Sequence, residues 1–261
     1  MAARSVVRAS VQQQFGRQAT HYARSRAHAQ GTSLPVLVRL ARPRRSDVLL
    51  DVATGTGFTA FAFAPYVAKV MASDLTMGML TQARRLGAER RLRNVFYQVA
   101  EAEALPYRQD SVSLVTCRIA PHHFSDVPAF LKEARRVLRP GGILLVADTV
   151  SPAAGQVQEW HNLVERLRDP SHVRNYTPAE WRTLVEEAGL AVEVVHTRCR
   201  TPLFFSEWVK RSGAPLHVVE ELRALFASAC EPVSRAFRIV SEGADFRFSW
   251  LVSIVKGRKD F

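Results

Sequence analysis

Apolar residues in this chain fall into two alternating patterns. One is a short unbroken run, as in Val48 to Ala53, Val70 to Asp74, Val95 to Ala100, Ser113 to Arg118 and Ile143 to Asp148. The other spaces its apolar positions three or four residues apart, as in Met79, Leu80, Ala83 and Leu86, or Val127, Phe130, Leu131, Ala134, Val137 and Leu138. Unbroken runs read as strands buried on both faces, and the spaced stretches as amphipathic helices between them. Ser125, with Asp126 and Pro128 behind it, is placed as the cap of the second helix. Further on, Thr177-Pro178-Ala179-Glu180 has the form of a capping box, and its helix runs to Ala188 with Gly189 as the stop. Ala191 to Arg200 and Phe246 to Lys256 supply two more strands. The alternation predicts an α/β, doubly wound sheet, while Ser151 to Tyr176 and Pro202 to Gly243 are left as helical segments that form a cap.

At 261 residues and 47% hydrophobic content, the chain can build one α/β domain with a cap over it. No apolar run approaches the ~18 residues of a membrane span; the best stretch, Gly142 to Val150, carries Asp148. Cys117, Cys199 and Cys230 share no metal or disulfide spacing, which fits a reducing, cytoplasmic setting, and no metal-ligand cluster is visible. The net charge of +12 is dispersed along the chain, which argues for solvated surface and against a nucleic-acid partner. The densest basic block precedes the first acid, Asp47. It is either a targeting peptide or a helix, and Val11, Phe15, Ala19 and Tyr22 recur at helical spacing.

Chemistry concentrates between Val48 and Asp74. A strand there breaks at Thr54-Gly55-Thr56-Gly57 and passes into a helix, so a ligand can lie against main-chain N–H groups. Asp74, at the end of the next strand, is placed to hydrogen-bond a ribose diol. Gly55 to Ala60 also satisfies the G-x-G-x-x-G/A dinucleotide pattern, but Asp51 at the strand mouth would repel a pyrophosphate and suits a cationic ligand.

Asp51-Val52-Ala53-Thr54-Gly55-Thr56-Gly57 resembles the first motif of the class I S-adenosylmethionine-dependent methyltransferases. Glu101-Ala102-Glu103-Ala104-Leu105-Pro106-Tyr107 resembles that family's G-[DE]-A-E-x-L-P-[FY] segment, with Ala100 replacing the usual Gly, and Leu138-Arg139-Pro140-Gly141-Gly142 its L-[KR]-P-G-G segment. Phe15-x-x-x-Ala19-x-x-Tyr22 is similar to the N-terminal helix that the quinone-methylase-like group folds over its cofactor. The resemblance implies a Rossmann-like, seven-stranded, mostly parallel sheet with the last strand inserted antiparallel between the fifth and sixth. It divides the chain into lid helices at 1–46, a cofactor-binding core at 47–150 and a remainder at 151–261, with cap segments at about 151–176 and 202–243.

The cofactor it implies is S-adenosylmethionine, yielding S-adenosylhomocysteine. Asp51 would face the methionine cation, the N–H groups from Gly55 to Gly57 its carboxylate, Asp74 the ribose and Glu101 the adenine amine; Ala53, Thr54, Leu75, Met79, Ala102 and Arg118 complete the set. The [ND]-P-P-[YF] motif of many N-methyltransferases is absent at Ile119-Ala120-Pro121-His122-His123-Phe124. The expected reaction is therefore O- or C-methylation of a small aromatic or quinone-like acceptor. His122, His123 and His172 are candidates for a general base, although His122 and His123 could equally brace a loop. Trp160, Arg174, Tyr176 and Trp208 are candidates to line the acceptor site, and Arg168, Arg174 and His172 could steer an anionic or phenolic group, or the arginines could pair with cap carboxylates. An RNA or protein methyltransferase and an NAD-dependent oxidoreductase stand as alternatives. A homodimer is left open.

Overall fold

The computed structural model describes residues 2–23, 29 and 31–260, with side chains from Ser5 onward. Within the expected lid segment 1–46, residues 1, 24–28 and 30 lie outside the described residues. Strands β1 (Val48–Val52), β2 (Lys69–Asp74), β3 (Val95–Val99), β4 (Val112–Arg118) and β5 (Leu138–Val150) are parallel, in the order 3-2-1-4-5. The order reverses between β1 and β4, and all five carboxyl ends open on one edge, where doubly wound sheets bind ligands.

Strands β6 (Ala191–Phe204) and β8 (Asp245–Arg258) complete the sheet, with β8 antiparallel between β5 and β6. An eighth strand, β7 (Val240–Glu242), corrects the expected count of seven by adding a short hairpin arm to β8. All three of its residues are exposed, so it left no apolar run to read.

Apolar faces account for the layers. Helices α2 (Ser33–Ala41) and α3 (Phe58–Phe63) pack Leu37, Phe61 and Phe63 against Leu49, Val70 and Leu145 on one side of the sheet. On the other, α5 (Val127–Val137) and α7 (Pro178–Glu187) pack Phe130, Leu131 and Trp181 against Leu50, Val115 and Leu144. The capping box of α7 is present, with Thr177 Oγ1 accepting from Glu180 N at 3.2 Å and Glu180 Oε2 from Thr177 N at 2.7 Å. The cap of α5 is Asp126 rather than Ser125: its carboxylate accepts from Ala129 N at 2.9 Å. Ser125 is drawn away by Glu103, to which its hydroxyl donates at 2.8 Å.

Because Val150 pairs with Leu251, the first residues of β8 and the last of β6 run on past the end of β5. That overhang carries α8 (Phe205–Ser212), α9 (Leu216–Ala227) and α10 (Glu231–Phe237), which join α6 (Gln156–Arg168) around a second core of Phe205, Trp208, Phe226, Phe237, Phe248 and Trp250. Helix α1 (Ala2–Ala23) crosses the ligand edge. It touches α4 (Met77–Glu89), where a Cβ built on Gly78 would sit 3.6 Å from the carbonyl oxygen of Gly16. Its Gln14 side chain donates to Ser212 O of α8 at 3.1 Å.

Candidate active site

Two adjoining chambers occupy the ligand edge. The first spans about 1000 Å³ with the open solvent at its mouth included. The second holds about 680 Å³ and shares Phe15, Tyr22, Arg118 and Ile119 with the first.

Strand ends and turns shape the first chamber. Ala53, Thr54 and Gly55 form one wall, and Asp74 ties that turn to the next helix by accepting from Gly55 N and from Thr76 N, both at 2.8 Å. Burial raises the Asp74 carboxyl to about 6, although these bonds favour its charged form. Leu75, Met79, Glu101, Ala102 and Arg118 also stand at the wall. From α1 come Val7, Arg8, Val11, Phe15 and Tyr22, and Arg8 Nη1 meets Glu101 Oε2 at 3.0 Å across the opening.

Two of the expected residues are set back from this wall. Gly57 lies under the turn, where a Cβ would meet the Phe61 ring at 2.4 Å. Asp51, expected to face a cation directly, is 1% exposed beneath the turn. Its oxygens accept from the hydroxyls of Thr54 at 2.6 Å and Thr116 at 2.7 Å. Burial raises its carboxyl to about 6, against the pull of those hydroxyls and of Arg118. Asp51 therefore locks the turn to β4, a role hidden from a reading of charge at the strand mouth alone.

The second chamber lies between the sheet edge and the cap, lined by His122, Thr149, Glu165, Arg168, Thr201, Leu203, Trp208, Arg211 and Trp250 besides the four shared residues. His122 Nδ1–H donates to Asp148 Oδ1 at 2.7 Å, and its backbone N–H donates to Asp148 Oδ2 at 3.0 Å. This pairing leaves Nε2 as the nitrogen free to exchange a proton. Burial alone would lower the imidazole pKa, but the charge and hydrogen bond of Asp148, with help from Glu165 and Asp169, raise it above the ordinary histidine value.

The other candidate histidines are placed differently. His123 faces the first chamber, stacks edge-on against Phe15 at 4.9 Å and donates from Nδ1 to Ser171 O at 3.1 Å. Burial and the neighbouring His122 charge push it down to about 3. His172 lines neither chamber: it is held to Asn162 Oδ1 at 3.2 Å, and burial holds it well below the usual range. Of the four residues expected to line the acceptor site, only Trp208 lines the second chamber, together with Arg168, which was expected to steer an anionic group. Trp160 stacks on Phe237 at 5.5 Å inside the cap core. Arg174 pairs with Glu180 and lies over the half-buried Tyr176 ring at 4.8 Å, so both are engaged in cap structure.

Asp148, Arg211 and Trp250 are the additions that only the fold reveals. Asp148 did leave a signal, being a fourth acid near the end of a parallel strand, here β5; Arg211 arrives from α8 of the cap and Trp250 from the overhanging start of β8, and nothing local marks either as a site residue. The backbone strain at Ala53, an expected cofactor residue, and at Ile119 leaves none either. Both take left-handed backbone angles, φ 52° each, at the ends of β1 and β4 and both stand at the first chamber's wall. Such a conformation costs non-glycine residues roughly 1–2 kcal/mol, and strain of that kind collects at ligand sites. Among the described residues no group of three or more His, Cys, Asp or Glu could hold a metal, and no helix is long and apolar enough to cross a membrane.

Comparison with known proteins agrees with this geometry. The profile of the family described as "Methyltransferase domain" matches residues 50–146. The uncharacterized methyltransferase YcgJ of Bacillus subtilis is 36% identical over 201 residues, covering 77% of this chain and 79% of its own. A crystal structure of a putative methyltransferase from Bacillus halodurans superposes with a TM-score of 0.84 at 35% identity, over 88% of this chain and 100% of that one. The ubiquinone/menaquinone biosynthesis C-methyltransferase UbiE of Paracoccus denitrificans is 39% identical over 173 residues, 56% of this chain and 67% of its own. With the Asp51 motif, Asp74 and the Glu101 segment at the strand ends of one sheet and a relative of this extent, the chain belongs to the class I S-adenosylmethionine-dependent methyltransferases.

Proposed function

We propose that this protein methylates a small aromatic or quinone-like acceptor at oxygen or carbon, with S-adenosylmethionine in the first chamber and the acceptor in the second. The observation that carries the reading is the shared wall at Arg118 and Ile119, beside which His122 and Asp148 stand on the acceptor side. The donor set suits the cofactor: Asp74 can accept from ribose hydroxyls and Glu101 from an adenine amine, Leu75, Met79 and Ala102 give an apolar slot for the base, and, with the Gly55 N–H already given to Asp74, the start of α3 brings Thr56, Phe58 and Thr59 to the same wall. Similarity to a quinone C-methyltransferase supports the acceptor class.

When bound, the cofactor supplies a sulfonium methyl for in-line displacement, the methyl–sulfur bond breaking as the new bond to oxygen or carbon forms. Helix α1 closes the roof and excludes water, and the cap walls hold the acceptor in line, which can account for much of the acceleration. His122 Nε2 takes the acceptor's proton, and Asp148 stabilises the imidazolium that results. Calorimetry tests the cofactor half: S-adenosylmethionine and S-adenosylhomocysteine should bind and NAD should not. Binding of NAD alone would overturn the proposal.

A further inference from the structure

We infer that the acceptor carries a carboxylate, and that Arg168 and Arg211 seat it at the wall of the second chamber. The inference rests on the methyltransferase reading of the site. Arg168 ends α6 and Arg211 lies on α8, so helices from two separate cap segments bring their guanidinium groups to one wall. Arg168 is partly committed: it donates to Glu165 at 2.8 Å and lies over the Trp208 ring at 5.0 Å. Yet its Nε is buried with no acceptor, and so is the Nε of Arg211, among the described residues. The indole N–H groups of Trp208 and Trp250, on the same wall, are also buried without an acceptor.

Unpaired indoles alone would say little, since those of Trp160 and Trp181 lie unpaired away from both chambers. The arginines carry the argument. A buried guanidinium donor without an acceptor is costly, and a planar oxyanion is the group its geometry fits. Arg211 forms no ion pair among the described residues, and burial and the nearby Arg168 charge lower its pKa against the weaker pull of Tyr22, Glu165 and Glu207. An incoming negative charge would relieve both effects. Glu165, standing at the same wall, disfavours a dianion such as a phosphate and leaves a monoanion as the better match. Leu203 and the rings of Phe15, Trp208 and Trp250 give the body of the acceptor an apolar bed, and His122 is the proton acceptor on the same wall. The molecule that fits is flat, with a carboxylate seated by the arginines and its nucleophilic oxygen or carbon pointing to the first chamber.

The test titrates the full chain, saturated with S-adenosylhomocysteine, with 4-hydroxybenzoate and with 4-hydroxybenzamide, which differ chiefly in charge. Two of the chain's 4 tryptophans line the chamber, so binding reads out as quenching of intrinsic fluorescence. The acid should bind at least about tenfold more tightly than the amide. Arg211→Met should bring the two close to parity without changing S-adenosylhomocysteine affinity, and Arg211→Lys should restore part of the preference. Equal binding of acid and amide, no binding of either, or an undiminished preference in a folded Arg211→Met would each overturn the inference. The wild-type comparison decides even where Arg211→Met melts early. Failure of S-adenosylhomocysteine itself to bind strikes instead at the methyltransferase reading beneath it.

Discussion

Replacing Asp74 by Asn isolates one charged acceptor at the junction of turn and helix. The side chain keeps its shape, but one oxygen becomes an NH2 group that must face either Gly55 N–H or Thr76 N–H, each now 2.8 Å from a carboxylate oxygen. One buried donor is left unpaired, at a cost of about 1–3 kcal/mol, which for a chain of this length lowers Tm by roughly 2–4 °C per kcal/mol. Cofactor binding loses more, because hydrogen bonds from ribose hydroxyls to a charged acceptor are worth about 1.5–3 kcal/mol; S-adenosylhomocysteine affinity should fall by roughly 10- to 150-fold. Isothermal calorimetry at pH 7.5 measures it. A pH series adds a second reading, since the Asp74 carboxyl is raised to about 6 and binding favours its ionised form. Wild-type affinity should therefore decline as pH falls below about 6, and in Asp74→Asn only the share owed to Asp51, also raised to about 6, should remain. Unchanged affinity with an unchanged pH profile would refute the assignment of the ribose to Asp74.

His122 must be neutral to accept a proton, and its pKa lies above the ordinary 6.5, so kcat/KM should rise with pH through a value above 6.5; Asp148→Asn should move that acid limb downward, and a limb that stays put would remove His122 as the base. The same raised pKa gives the fold a contribution that is complete below pH 6.5 and fades as pH climbs through the folded value, so the stability difference between wild type and Asp148→Asn should shrink in alkaline buffer. Removing residues 1–30 should abolish S-adenosylhomocysteine binding while the remainder keeps a cooperative melt; Gly78→Ala should be tolerated, whereas Gly78→Leu, forced against Gly16, should weaken binding. Gly57→Ala combines a φ of +92° with a Cβ 2.4 Å from Phe61; with at least ~1–2 kcal/mol of backbone strain, it should melt at least several degrees below wild type.

The half of the site proposed to hold the cofactor was legible because its residues are local. Asp51, Asp74 and Glu101 each stand at or just past the end of a strand, and parallel strands in a doubly wound sheet bring such ends to one edge whatever lies between them. What the sequence could not convey was direction. Asp51 and Asp74 look alike as strand-end acids, yet the hydroxyls of Thr54 and Thr116 engage the first beneath the turn, while the second stands at the chamber wall. The same limit affected the histidine pair. Neighbours in the chain, His122 and His123 face different chambers, and the placement of Asp148, 26 residues on, distinguishes the proposed proton acceptor from the residue braced on Ser171.

The acceptor half was hidden for a different reason. Its wall is assembled from α6, α8 and the overhanging end of β8, so Arg168, Arg211 and Trp250 are brought together by long-range packing that no periodicity encodes. Arg174 shows the consequence: in sequence it is as good a candidate as Arg168, but it ends on Glu180 at the surface, 47% exposed, while Arg168 is 9% exposed at the chamber wall. Division of labour follows from this arrangement. Changes in the cap helices can reshape the proposed acceptor chamber while leaving Asp51, Asp74 and the glycine turn untouched, because none of these lines it and the described linings share Phe15, Tyr22, Arg118 and Ile119. Substitutions at Arg211 or Trp250 should accordingly move acceptor KM with cofactor affinity unchanged, whereas Ile119, strained and common to both chambers, is the position where a substitution should move both together.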